Sequence, residues 1–397
     1  MLRRKRERGF YPSRKSGGFM TDASSPNLLI ARAAQSRRAF LKTGMAATAA
    51  PLLLATFGVQ RPARAEDVER MLNIMGWSEY VSPDNIAAWE EKTGARFVFD
   101  GYSSNDEMLS KLQLSGGESG YDLGMNTDFM IPLLIKRGLI QKLDKSLIPN
   151  MEHIGADFLN REFDPGNEYT IPKTWGSQGY LYDKSVVQRQ LASWDDFLDA
   201  ARNEASGQVA LLDDPLSIAP LMWKDGISWN TTDETVLDRV EAEALELAPH
   251  IRTFNTYPQQ DVASGTVKLA QNWNGYSRLV IESSGNPNLV FGFGGPITEF
   301  WLDSYHLPAG GSHPKAAHDW LNYILDPKVA AAETTYTGYP TAVPSSSTFL
   351  AADIATSPII WPSSEIIQRG ELTKRNESYE RRIAIFTKFK AAAAVAQ

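Results

Sequence analysis

The chain has 397 residues, long enough for two core-bearing domains, with 43% hydrophobic and 22% charged side chains and no cysteine. The missing cysteine excludes disulfides, cysteine-ligated zinc and thiol catalysis. Of 40 basic and 47 acidic side chains, 13 and 2 fall before residue 66, so the remainder holds 27 against 45, a net of −18. A field of that sign disfavours nucleic acid and anionic lipid as partners and favours cationic ligands.

The basic amino terminus reads as a leader. Ser36-Arg37-Arg38-Ala39-Phe40-Leu41-Lys42 matches a twin-arginine signal. A moderately apolar run follows from Met45 to Val59, interrupted by Pro51, and Ala63-Arg64-Ala65 supplies an A-x-A-like cleavage site. That run is too short and too weakly apolar to span a bilayer. Residues 1–65 are therefore expected to be a cleaved signal peptide that delivers the protein to the periplasm. The duller alternative is a chance basic patch before a core helix.

After the leader, strand and helix patterns alternate. Leu72–Met75 reads as a strand. Ser82 and Pro83 open a helix with Ile86 and Trp89 inward and Gly94 as its stop. Arg96–Phe99 alternates as a strand. Ser104-Asn105-Asp106-Glu107 is a capping box for a helix that buries Met108, Leu109 and Leu112. Tyr121–Met125 is a third strand, and Phe129 to Arg137 a short apolar helix. This rhythm predicts a parallel, doubly wound sheet, with ligands beyond the carboxyl ends of its strands. Ile171–Gly176 reads as a crossing into a second lobe containing helices over Trp194–Glu204 and Asp233–Leu247 and strands over Val209–Leu212 and Val267–Asn272. Glu299–Asp303 is the expected return crossing, followed by helices over Ala316–Leu325 and Tyr379–Ala394.

The first strand runs into Trp77-Ser78-Glu79-Tyr80. A carboxylate between two rings at a strand's carboxyl end can neutralise an organic cation while the rings wall it by cation–π attraction. The same residues also fit a half-exposed strand end with packing aromatics and a solvated acid.

Pieces of this kind recur in order: Tyr121-Asp122-Leu123, Gly138–Ser146, Phe163–Asn167, Ile171–Gly176, Asp213-Asp214, Asn230–Asp233, Trp273-Asn274-Gly275, Phe300–Ser304 and Gly338–Thr341. Together they make the chain resemble the periplasmic spermidine/putrescine-binding proteins, the receptors of polyamine ABC importers, from about Leu72 to Lys390. The resemblance implies a two-lobe α/β periplasmic binding protein of type II. Its first lobe would take 66–174 with 302–347, its second 175–301 with 348–397, and the cleft would lie at the hinge. Implied cleft positions are Trp77, Ser78, Glu79, Tyr80, Phe129, Asp214, Trp273, Trp301, Asp303 and Tyr339. Phe129 stands where these receptors carry a tyrosine. Ser217 stands where spermidine receptors carry a glutamate, and Thr373 where they carry a glutamine. Three carboxylates thus remain where four are expected, which favours a dication such as putrescine. In an extended strand Trp301 and Asp303 share a face and can act together.

Arg278 points another way. A guanidinium beside the cleft, assisted by Lys173, would clamp a carboxylate and suit a zwitterion such as γ-aminobutyrate or an amino-acid conjugate. Its duller reading is a surface residue or a partner of Glu282, four positions on. An enzyme is not expected. There is no G-x-S-x-G elbow, and Gly292–Pro296 lacks the glycine spacing of a dinucleotide loop. His306, His313 and His318 cluster without metal-ligand periodicity and read as a solvated loop. The expectation is a monomeric, exported solute receptor that needs no cofactor or metal. It would capture a small amine and deliver it to an inner-membrane ABC permease.

Overall fold

The computed structural model describes residues 69–396, apart from 103 and 115–118. The expected leader, residues 1–65, lies outside the described residues.

Among the described residues eleven strands form, in chain order, β1 Met71–Trp77, β2 Arg96–Tyr102, β3 Leu123–Thr127, β4 Ile140–Gln141, β5 Thr170–Asp183, β6 Val209–Leu211, β7 Ile251–Phe254, β8 Leu269–Trp273, β9 Leu289–Phe293, β10 Thr298–Pro308 and β11 Gly370–Glu371. β1 pairs in parallel with β2 and β3, as crossover helices on both sides require. The antiparallel strands β10 and β5 then close this first sheet. β5 continues into a second sheet, antiparallel to β8 and β9, where β6 pairs in parallel with β7 and β8. The main order is β2-β1-β3-β10-β5-β8-β6-β7, so two long strands carry the chain between two sheets.

All 14 residues of β5 are buried, because strands flank both its edges and helices cover its faces. Such a strand would ordinarily be continuously apolar. Here Lys173, Thr174, Ser177 and Gln178 interrupt it, and each meets a specific partner. Lys173 Nζ pairs with Glu333 Oε2 at 3.1 Å, and Thr174 Oγ1 donates to the Pro340 carbonyl at 2.6 Å. The Ser177 amide donates to Asn274 Oδ1 at 3.1 Å, and Gln178 Nε2 to Glu299 Oε2 at 2.7 Å. Polar satisfaction of this kind fixes the register between the sheets.

The two largest of four apolar clusters among the described residues flank the crossing strands. One gathers Leu72, Ile74, Trp89, Phe97, Trp301, Trp320 and Tyr339, and the other Trp194, Phe197, Trp223, Trp229 and Phe389. Helix Pro83–Thr93 buries Trp89 as its pattern predicts and ends at Gly94, whose φ of +70° suits glycine. Ser104 caps helix Asn105–Leu114, accepting from the Glu107 amide at 3.1 Å, with Met108, Leu109 and Leu112 inside.

One sequence expectation fails outright. The three histidines do not share a solvated loop: His306 is fully buried in β10, His318 is buried in helix Pro314–Ile324, and His313 sits against Asp122. The glycines and proline around them hid the long strand and the helix that enclose this segment. No helix among the described residues is long and apolar enough to cross a membrane.

Candidate functional site

Between the ends of the two sheets lies a cavity of about 180 Å³. Its walls contain the rings of Trp77, Tyr80, Phe129, Trp273, Trp301 and Tyr339, and the carboxyl groups of Glu79, Asp213, Asp214, Glu299 and Asp303. No lysine, arginine or histidine lines it among the described residues.

Strand β10 brings three of these groups in at once. Glu299, Trp301 and Asp303 alternate along an extended chain and so project to one face. Gly176, opposite Trp301 in the antiparallel register, leaves room for the indole: a Cβ there would run into Trp301 Cζ2 and come within 2.8 Å of Asn274 Oδ1. Trp301 packs edge-on to Tyr339, ring centroids 5.0 Å apart, and Tyr80 approaches Tyr339 at 6.2 Å. Tyr339 reaches this place because Gly338, at φ +75°, ends helix Pro327–Thr337 against the backbone of Gly275.

Asp303 is 5% exposed and receives the Tyr80 hydroxyl at 2.8 Å on Oδ2. Burial pushes its carboxyl up to about 6 despite that hydrogen bond, and its Oδ1 has no donor at bonding geometry. Tyr80 is set from below by Lys173, whose Nζ lies 4.4 Å from the ring centroid. Asp214 caps the short 3₁₀ turn Pro215–Ile218 through the Leu216 amide at 2.8 Å, and burial raises it to about 6 as well. Glu79 is exposed at the rim, with a φ of +57° that non-glycine residues adopt at a cost. Asp213 differs from these in being paired with Lys390.

Glu299 was not expected here. It is 2% exposed, and its Oε2 accepts from Gln178 Nε2 at 2.7 Å and Trp273 Nε1 at 3.2 Å. Burial, reinforced by Asp214 and Asp128, pushes its carboxyl up to about 8. The period-two spacing Glu299, Trp301, Asp303 was the available signal. Tyr257, Tyr276 and Gln259 also line the cavity, and no local pattern announces them.

Three expected residues lie outside the lining. Arg278 is buried within helix Asn274–Ser284 and pairs with Glu282 one turn on, so its guanidinium is committed within its own helix. Ser217 and Thr373 are buried behind the wall with unpartnered hydroxyls. Lys173 is also unavailable to a ligand carboxylate, because Glu333 holds it beneath Tyr80. The lining includes Trp77, Ser78, Glu79, Tyr80, Phe129, Asp214, Trp273, Trp301, Asp303 and Tyr339.

Known proteins resemble most of the chain. Residues 85–361 match the bacterial extracellular solute-binding protein family, and the chain belongs to it. It is 32% identical over 313 residues to the spermidine/putrescine-binding periplasmic protein of Escherichia coli, covering 78% of this chain and 88% of that one. A Haemophilus influenzae protein, spermidine/putrescine-binding periplasmic protein 1, is 30% identical over 297 residues, 74% of this chain and 81% of its own length. The solved structure of a putative spermidine/putrescine ABC transporter protein from Listeria monocytogenes superposes with a TM-score of 0.75 at 22% identity, covering 81% of this chain and 99% of that one. The fold is the two-lobe α/β periplasmic binding protein of type II expected from the sequence, and the protein is a solute-binding protein rather than an enzyme.

Proposed function

We propose that the protein is the exported receptor of an ABC importer and captures a small organic di- or polyamine between its lobes. The observation that carries this reading is the cavity wall. Four carboxyl groups, Glu79, Asp214, Glu299 and Asp303, reach it with no ion-pair partner among the described residues, between indole and phenol faces. A flexible chain of methylenes with an ammonium at each end needs that combination. In a partly buried cleft each ammonium–carboxylate contact at about 4 Å is worth roughly 4 kcal/mol before desolvation. Each ring contact adds about 0.5–2 kcal/mol. Trp77, Glu79, Tyr80 and Asp303 would serve one ammonium, and Asp214 with Trp273 the other.

In this reading the first lobe comprises 66–174 with 302–347 and the second 175–301 with 348–397. They close on ligand because each supplies part of the wall, which is differential affinity for the closed state. Periplasmic location agrees with the relatives' names, and export by the twin-arginine route rests on Arg37 and Arg38. The zwitterion reading loses its support with Arg278 paired to Glu282.

Calorimetry of the chain from Glu66 against putrescine, cadaverine, spermidine and γ-aminobutyrate tests the assignment. Amines should bind, and Asp303→Asn and Glu79→Gln should each weaken them at least roughly tenfold, the scale of one charge-assisted contact. Binding of γ-aminobutyrate alone, or amine affinity indifferent to both substitutions, would overturn it.

A further inference from the structure

The family resemblance leaves the cleft one carboxylate short, with Ser217 where a glutamate is expected. The folded chain restores the count from a different element. Glu299 reaches the cavity from β10, two residues before Trp301 and four before Asp303. Its position is built rather than incidental. Gln178 Nε2 and Trp273 Nε1 both donate to Glu299 Oε2, and Gln271 Nε2 in turn donates to Gln178 Oε1 at 2.9 Å and to the Leu216 carbonyl at 3.0 Å. The relay therefore ends on the backbone immediately before Ser217. Tethered there, the Glu299 carboxyl belongs to the same wall that the missing glutamate would have completed.

The groups facing Glu299 supply no positive charge. Asp214 and Asp128 act on it with like sign. Glu371 is its register partner on β11, but that carboxylate is turned to Trp223, Ser228 and the Trp229 amide. A buried carboxyl in this setting must hold a proton or meet an external cation. The same cavity presents Asp303 Oδ1, which has no hydrogen-bond partner, in a residue 95% enclosed. Four residues of extended strand separate the two Cα atoms by about 13 Å. Projecting side by side from one strand face at that spacing, the two carboxyls would each take a nitrogen of their own. At about 1.25 Å of advance per bond, a four-carbon diamine spans about 6 Å between its nitrogens and a triamine of spermidine's length about 11 Å.

Resting on the polyamine-receptor reading, we propose that Glu299 is a cation-binding carboxylate that stands in for the acid absent at Ser217. It receives the ammonium remote from Asp303, so the cleft accommodates a triamine as well as a diamine. Burial beside Asp214 and Asp128 favours the neutral Glu299 carboxyl, so an ammonium that ionises it would send a proton to solvent.

Two calorimetric measurements test this on the full chain from Glu66. Spermidine is titrated at pH 7 in buffers of different ionisation enthalpy, with the wild type, Glu299→Gln, and Glu299→Gln carrying Ser217→Glu. The expected results are proton release by the wild type that is reduced in Glu299→Gln, a drop in spermidine affinity of about tenfold or more, and partial recovery in the double variant. Asp214 and Asp303 can also give up protons when an amine binds, so the decisive reading is the difference between the wild type and Glu299→Gln. Recovery in the double variant shows that the substituted chain still folds, and proton release unchanged in Glu299→Gln would overturn the role of Glu299. Wild-type affinity in Glu299→Gln, with Asp303→Asn still defective, would overturn the role of Glu299 and leave the receptor reading intact. Absence of any amine binding by the wild type would overturn both.

Discussion

Lys173 carries a full positive charge in the middle of a buried strand, and Glu333 is what makes that tolerable. The carboxylate receives Lys173 Nζ at 3.1 Å, the Ser82 amide at 2.9 Å and Asn85 Nδ2 at 2.8 Å, tying the start of helix Pro83–Thr93 to helix Pro327–Thr337. Lys173 in turn supports the Tyr80 ring, and Tyr80 orients Asp303. Glu333→Gln keeps the shape and strips the charge, leaving an ammonium without its bonded counter-ion in a nearly dry site, with Asp303 as the remaining acid that acts on it. Breaking a buried pair in this way costs about 3–5 kcal/mol. Urea unfolding should show a loss of that size, accompanied by weaker amine binding as Tyr80 loses its support. A loss below about 1 kcal/mol would mean that water reaches Lys173 after all.

At the scale of the element, β10 carries the site and β5 makes space for it. Gly176→Ala adds a methyl where Trp301 Cζ2 already sits, with Asn274 Oδ1 2.8 Å away on the other side. Neither neighbour is the free end of a flexible chain, so the indole or the strand must give way. The expected cost is about 1–3 kcal/mol of stability, read by thermal or urea unfolding, together with reduced amine affinity. Unchanged stability and affinity would show that the two strands can slide apart locally.

What the sequence discloses follows from the same elements. Local period gives β1, β2 and helices such as Pro83–Thr93, because burial there repeats within a few residues. Trp301 and Asp303 are legible as a same-face pair in an extended run. Glu299 extends that pair by one step, yet its role depends on Gln178, Trp273 and Gln271, which lie 26 or more positions away in the chain. Arg278 misleads for the converse reason. It sits near a cleft residue in sequence, but the helix it belongs to turns it onto Glu282. His306 reads as loop because its neighbours are glycine-rich, whereas β3 and β5 on either side enclose it. Contacts remote in sequence decide Glu299 and His306, whereas Arg278 takes the local i,i+4 pairing that the sequence also offered.

Over the whole molecule, the two crossing strands hold a cavity in which acids outnumber the cations available to them. Gly275 and Gly338 touch where helices Asn274–Ser284 and Pro327–Thr337 meet. Two exposed ion pairs also link remote segments, Asp106 with Arg375 at 2.8 Å and Glu162 with Lys374 at 3.3 Å. Surface pairs of this kind contribute at most about 1 kcal/mol each.

Uncompensated acids also make the empty protein sensitive to pH. Asp214 and Asp303 titrate near 6 when folded, and Glu299 and Asp128 near 8, against about 4 in an unfolded chain. Their raised values add stability that is complete below about pH 4 and is lost as pH rises through 6 and then 8. His306, held down to about 3 by burial, works in the opposite sense but is spent above pH 6.5. A cationic ligand should cancel the loss at the three acids that line the cavity, because it holds them ionised at no cost. Thermal melting of the chain from Glu66 between pH 6.5 and 8.5, with and without putrescine or spermidine, reads this directly. The ligand-free midpoint should fall across that range while the amine raises it by increments that grow with pH. A midpoint that is flat in pH and responds to amine no more than to an uncharged diol of equal length would contradict the account.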